Sequence, residues 1–186
     1  MNKVTKLALA LCLISAVSLP ALADGGAYIG GGLSIYQNSD TDGQGSLDSD
    51  GMGYNLYGGY QFNRLIGAEL GYNDYANYKK GAEKLSPTSI YASANIGYTF
   101  DNTIRPFVLA GLSSVDLNAN KSAGYAGDSG TGFHFGVGVE YTPIDHLTLR
   151  LISQADAVSV ENDYGSKKED KTLAFSSISF GGSYNF

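Results

Sequence analysis

The chain has 186 residues, a net charge of −6, 25 glycines, 14 tyrosines, four prolines, one cysteine and no tryptophan. That length supports one domain, the acidic balance excludes recognition of nucleic acid through its phosphates, and the apolar and aromatic content excludes a disordered chain. A single cysteine leaves no disulfide within the chain to stabilise it.

Met1 to Lys6 carries Lys3 and Lys6, and an uncharged apolar run follows from Leu7 to Leu19. Ala21-Leu22-Ala23 then precedes Asp24, with Ala21 and Ala23 at small-x-small spacing. This is the pattern of a secretory signal, residues 1–23, removed to leave a mature domain of 24–186. The apolar run is too short for a spanning helix, which needs about 20 residues. Cys12 is read as an apolar residue of the signal, because Leu11 stands where lipidation needs a small residue.

After residue 23 the sequence carries no helical periodicity and a recurrent period of two. The first segment, Ala27 to Gln37, sets Ala27, Ile29, Gly31, Leu33 and Ile35 against Tyr28, Gly30, Gly32, Ser34 and Tyr36. The second, Gly53 to Phe62, sets Leu56, Tyr60 and Phe62 against Asn55, Tyr57 and Gln61. The third, Leu65 to Asn73, sets Ile66, Ala68, Leu70 and Tyr72 against Gly67, Glu69, Gly71 and Asn73. The fourth, Ser89 to Phe100, sets Ile90, Ala92, Ala94 and Ile96 against Tyr91, Ser93 and Asn95. The fifth, Arg105 to Val115, has apolar or small residues on both faces and leaves its inner face open. The sixth, Gly132 to Tyr141, sets Phe133, Phe135, Val137 and Val139 against His134, Gly136, Gly138 and Glu140. The seventh, His146 to Val158, sets Leu147, Leu149 and Leu151 against Thr148, Arg150, Ile152 and Gln154. The eighth, Lys171 to Phe186, sets Ala174, Ile178, Phe180 and Tyr184 against Phe175, Ser177, Ser179 and Ser183.

The connections alternate in length. Asn63-Arg64, Asp101 to Ile104 and Thr142 to Asp145 are tight, whereas 38–52, 74–88, 116–131 and 159–170 are long and polar. Outer-membrane barrels have short periplasmic turns and longer extracellular loops. The non-apolar faces hold Gly, Ser, Asn and Thr with few charges, which suits the interior of an eight-stranded barrel better than a surface in water. Aromatic residues cluster near both ends of the segments, as membrane girdles do. The expected fold is all-β: an eight-stranded antiparallel up-and-down transmembrane β-barrel, with a soluble lipocalin-like barrel as the alternative if the faces are reversed.

Three stretches are similar to the transmembrane domain of OmpA and the related small outer-membrane barrels: Ile66-Gly67-Ala68-Glu69-Leu70-Gly71-Tyr72, Gly138-Val139-Glu140-Tyr141-Thr142-Pro143 followed by Leu149-Arg150-Leu151, and the terminal Tyr184-Asn185-Phe186. The resemblance implies that Tyr184 and Phe186 form the signal read by the outer-membrane assembly machinery. It also implies an ion-pair network in the lumen. Two positions depart from that network: Asn95 stands where the family places a lysine, and Ile152 where it places an acidic residue.

Glu69, Glu140 and Arg150 are expected to share the lumen with Asn95 and His134, either as an interior plug or as a gate or proton path. His134 has no serine two residues on, as a lipid A deacylase of the barrel type would require, so no catalytic group, cofactor or metal is assigned. Asp40, Asp42, Asp48 and Asp50 crowd the first long connection without the spacing of a calcium loop. The expected partners are outer-membrane lipid and lipopolysaccharide, the assembly machinery, and a host or surface ligand at the loops, with the protein a monomer. The functional readings are a structural or surface-interaction barrel displaying four loops, a narrow channel, or a lipid A-modifying enzyme.

Overall fold

The computed structural model describes residues 25–41, 48–80, 83–101, 103–118, 129–164 and 167–186; at 39–41, 48–50, 77–80, 83–85, 159–164 and 167–172 the description is of the backbone. The expected signal, with Cys12, Ala21 and Ala23, lies outside the described residues, as does Asp42. The side chains of Asp40, Asp48 and Asp50 are outside them as well.

The strands in chain order are β1 (Gly26–Thr41), β2 (Asp48–Asp50), β3 (Tyr54–Gln61), β4 (Ile66–Asp74), β5 (Asn77–Lys80), β6 (Glu83–Leu85), β7 (Thr88–Gly97), β8 (Ile104–Asp116), β9 (Ser129–Ile144), β10 (Leu147–Tyr164) and β11 (Lys167–Asn185). Eight of them close in the order β1-β11-β10-β9-β8-β7-β4-β3. Every neighbouring pair in that ring is antiparallel. Closure satisfies each backbone amide and carbonyl within the ring, which hydrocarbon demands and an open sheet cannot provide.

The period of two sorts the side chains as the sequence indicates. Leu33, Leu56, Leu70, Ile90, Leu112, Val137, Leu151 and Phe180 are exposed on the outside, while Glu69, Asn95, Arg150 and Ser179 are buried within. Large apolar side chains facing outward all round a closed barrel are stable only against lipid, so the lipocalin-like reversal is removed. Toward the short turns, Tyr60 and Phe62, Tyr98 and Phe100, and Tyr184 and Phe186 form ring pairs with centroids 5.4, 5.0 and 5.2 Å apart. Tyr54 and Tyr72 pair at 6.0 Å toward the loops.

The structure corrects the first segment. The β1–β11 register shifts between Ser34 and Tyr36, so Ile35 is the extra residue of a bulge. Ile35 and Tyr36 both face outward, 67% and 58% exposed, and Gln37 returns to the interior. A bulge sets two residues against one and resets the alternation, so Tyr36 belongs to the outer girdle and not to the face of Tyr28.

The long connections are also more ordered than polarity suggested. β10 and β11 pair from Leu147↔Tyr184 to Tyr164↔Lys167, so most of the expected loop 159–170 is a hairpin continuing past the barrel. Among the described residues, β9 accompanies β10 only as far as Gly132↔Val158 and β1 accompanies β11 only as far as Thr41↔Leu173. The first two long connections contribute a separate sheet of order β2-β5-β6, in register Asp48↔Lys79↔Lys84 and Ser49↔Tyr78↔Leu85.

Candidate functional site

The interior is the part of the molecule with the most chemistry, and it is built in layers. Nearest the short turns, Arg150 of β10 lies between two carboxylates. Arg150 donates from Nη1 and Nη2 to the two oxygens of Glu69 at 3.0 and 2.8 Å. It also donates from Nε and Nη2 to Glu140 Oε1 at 2.9 and 2.6 Å. Glu140 accepts in addition from Arg105 Nη1 at 3.0 Å. Glu69 is further held by the hydroxyls of Tyr28 and Tyr91 at 2.7 and 2.9 Å and by Asn95 Nδ2 at 3.3 Å.

The guanidinium of Arg150 lies over the Tyr57 ring, 3.9 Å from its centroid. Two arginines and two glutamates make this layer neutral. The forked donor set of arginine allows one cation to make four bonds to two carboxylates, where a lysine has only three donors.

Above the charged layer lies an apolar one: Tyr91, Phe107, Leu109 and Ile152, all buried. It answers the open question of the fifth segment, since Arg105, Phe107, Leu109 and Val115 face inward while Val108 and Leu112 face lipid. The interior glycines at 59, 71 and 138 do not leave empty space. A Cβ at Gly71 would fall 2.3 Å from the Tyr91 ring, one at Gly59 2.5 Å from that of Tyr28, and one at Gly138 2.8 Å from that of Phe107. The missing side chains are the room into which the aromatic rings fold.

His134 belongs to a third layer and not to the cluster of Glu69, Glu140, Arg150 and Asn95. Its strand position pairs with Asp156, six residues beyond Arg150 on β10. His134 Nδ1 meets Asp156 Oδ1 at 2.8 Å. Asp156 Oδ2 accepts from the hydroxyls of Tyr75 and Ser89, each at 2.5 Å. Asn73 reaches Ser89 and accepts from Gln154 Nε2 at 2.9 Å.

Above this layer Tyr75, Val115, Leu117, Val158, Leu173 and Phe175 form a second apolar cluster at the loop end. The sequence reading singled out neither Asp156 nor Arg105. Both carry a usable signal: Asp156 is in phase with Arg150, Ile152 and Gln154 on the inner face, and Arg105 with Phe107 and Leu109.

This arrangement can hold strands in register and exclude solvent. It differs from a hydrolytic triad, because the serine hydroxyl bonds the aspartate while His134 Nε2 is buried with no hydrogen-bond partner. Among the described residues there is no group of three or more side chains able to hold a metal ion.

The chain matches the family described as outer membrane protein beta-barrel domain over residues 9–186. It is 27% identical over 178 residues to outer membrane protein A of Klebsiella aerogenes, covering 86% of this chain and 51% of the relative. The chain thus spans about half the length of that curated relative. Among solved structures it is similar to Neisserial surface protein A, with a TM-score of 0.64 at 20% identity over 86% of this chain and 97% of the other. It is similar also to Ail of Yersinia pestis, solved in complex with the heparin analogue sucrose octasulfate, with a TM-score of 0.56 at 18% identity over 88% and 99%. OprG of Pseudomonas aeruginosa gives a TM-score of 0.57 at 14% identity over 88% and 96%. At these identities the structural likeness establishes the fold.

Proposed function

Because this chain belongs to the outer membrane protein β-barrel family and resides in the outer membrane of a Gram-negative bacterium, we propose that it is a non-conducting scaffold whose activity lies in its extracellular loops. The observation that carries this reading is the filled interior. The charged layer, the apolar layer of Phe107 and Leu109, and the loop-end cluster of Tyr75 and Phe175 stand in series across the lumen. A conducting path would have to breach all three. Breaking the Arg150–Glu69–Glu140 group alone would strand a desolvated charge, which costs about 3–5 kcal/mol.

The loop end, by contrast, is elaborated. The β10–β11 hairpin and the β2-β5-β6 sheet provide ordered backbone outside the barrel. Function is disproportionately carried on loops held by rigid scaffolds. The surface so displayed suits a host or surface ligand and contact with lipopolysaccharide, and Tyr184 and Phe186 at the last strand suit recognition by the assembly machinery. Among the described residues no interior group is arranged for catalysis, and the protein acts as a monomer.

Single-channel recording of the purified, refolded protein in planar bilayers tests the reading. The expected record is flat in potassium chloride at either polarity. Discrete openings that disappear when the interior is altered would replace the scaffold by a narrow channel.

A further inference from the structure

Two strands end on the same local device. β4 ends at Asp74, whose Oδ1 accepts from the backbone N–H of Ala76 at 3.1 Å. β8 ends at Asp116, whose Oδ1 accepts from the N–H of Asn118 at 3.2 Å. Ala76 and Asn118 both adopt a φ of 43°, the left-handed region that non-glycine residues visit at a cost. In each case the residue between, Tyr75 or Leu117, is 1% exposed and turned into the lumen mouth. The aspartate turns the chain, and the chain drops an apolar side chain over the opening as a lid.

Tyr75 is the more connected of the two, and its contacts reach the base of every loop. Its hydroxyl donates to Asp156 on β10. Its ring lies 5.9 Å from that of Phe175 on β11, so both strands of the long hairpin are engaged. Its backbone N–H donates to Pro87 O at 3.0 Å, closing the base of its own loop. With its amide turned to suit both neighbours, Gln37 of β1 donates to Tyr75 O at 3.0 Å and accepts from Gly53 N at 2.8 Å, at the end of the first loop. Leu117, at the base of the third loop, packs in the same cluster, and Ser86 N donates to Leu117 O at 3.4 Å.

We infer that Tyr75 couples the bases of the four extracellular loops, so that a change at the lumen mouth is felt in all loops together. The inference rests on the loop-display reading for its use, but not for its test. With Tyr75 seated, the ends of β8, β10 and β11 share one apolar cluster with it, Asp156 anchors its hydroxyl, and Gln37 of β1 holds its carbonyl. With Tyr75 withdrawn, Asp156 loses a donor, the cluster loses its largest ring, and Gln37 loses the carbonyl that joins the first loop to the second.

Limited trypsin digestion of the refolded protein reads this in the second, third and fourth loops, since the first has no Lys or Arg. The sequence places Lys79, Lys80 and Lys84 in the second loop, Lys121 in the third, and Lys167, Lys168 and Lys171 in the fourth. Tyr75→Phe removes the hydroxyl alone and Tyr75→Ala the whole side chain. Cleavage governed by transient opening follows the open population, and loss of a hydrogen bond to a carboxylate corresponds to a rise of about ten- to hundredfold. The expected result is a rise of that order in Tyr75→Phe, larger in Tyr75→Ala, shared by the second, third and fourth loops. The unboiled gel mobility should remain that of a closed barrel.

If Tyr75→Ala fails to form the closed barrel, Tyr75→Phe decides the question. A rise confined to the second loop, or none in any loop, overturns the coupling. Conductance of the wild-type preparation is recorded beside it; openings there would remove the scaffold reading and leave the coupling standing.

Discussion

The ring of Tyr91 lies flat on the imidazole of His134, with centroids 3.9 Å apart and planes 3° from parallel. Its hydroxyl meanwhile donates to Glu69 at 2.9 Å. One side chain therefore spans the interval between the charged layer and the histidine layer. Removing the hydroxyl leaves the stack and deprives Glu69 of one of its donors. Tyr91→Phe should lower the unfolding free energy by about 1.5–3 kcal/mol, the range for a hydrogen bond to a charged group, read from urea unfolding in detergent micelles. Tyr91→Leu should cost more, because the contact with His134 goes too.

Arg150 is the heaviest single commitment in the interior. Arg150→Met would leave Glu69 and Glu140 buried, with Glu140 retaining only the Arg105 bond. The expected loss is about 3–5 kcal/mol. Adding Glu69→Leu to that variant should recover part of it, since an apolar pair does not strand a charge. A double variant no more stable than Arg150→Met alone would show that strain, and not the uncompensated carboxylate, sets the cost.

The orientation of the faces has its own test. Val137 is 60% exposed in the middle of the outward face of β9. Val137→Arg should cost about 2–4 kcal/mol of bilayer stability, seen as a reduced folded fraction in lipid vesicles. The same substitution should be far milder in a detergent that lets the arginine reach water. Equal effects in both media would mean that Val137 does not face the hydrocarbon.

Two glycines separate close packing from mere composition. A Cβ at Gly111 would fall 2.0 Å from Ala92 O and 2.5 Å from Ser93 Oγ, and a backbone oxygen cannot step aside without disturbing the ladder. Gly111→Ala should abolish the heat-modifiable form on a gel. At Gly58 the nearest atom to a Cβ is Tyr28 O at 3.4 Å, an ordinary contact, so Gly58→Ala should fold like the wild type.

The parts of the fold visible in the sequence are those the bilayer imposes. Where one face meets lipid and the other a narrow lumen, every second residue is constrained, and Ile66 to Asn73 or Phe133 to Tyr141 can be read directly. Above the hydrocarbon neither face is apolar, so the period of two fades while the pairing continues. For that reason the stretch from Ser159 to Asp170 reads as a polar loop, and most of it folds as a hairpin. The bulge at Ile35 was hidden because isoleucine and tyrosine are both acceptable on a membrane surface. Glu69, Glu140 and Arg150 were legible as charges on otherwise apolar or small strands, and the structure joins them with Asn95. The separate seat of His134 was not legible, because it depends on the register between β9 and β10, which alternation alone leaves free.

The strands that meet at Tyr28↔Asn185 and Ile29↔Tyr184 are the first and the last of the barrel, and Phe186 N donates to Ala27 O at 3.0 Å across the same seam. Timing follows from this. However many of the middle strands have paired, the sheet keeps two bare edges until β11 reaches β1, and bare edges recruit strands from other chains. The barrel therefore cannot be finished piecemeal as the polypeptide emerges. It has to be kept apart from its copies as an open chain and closed in one late event, and the residues at the seam should be the last to gain protection when folding is followed by hydrogen exchange.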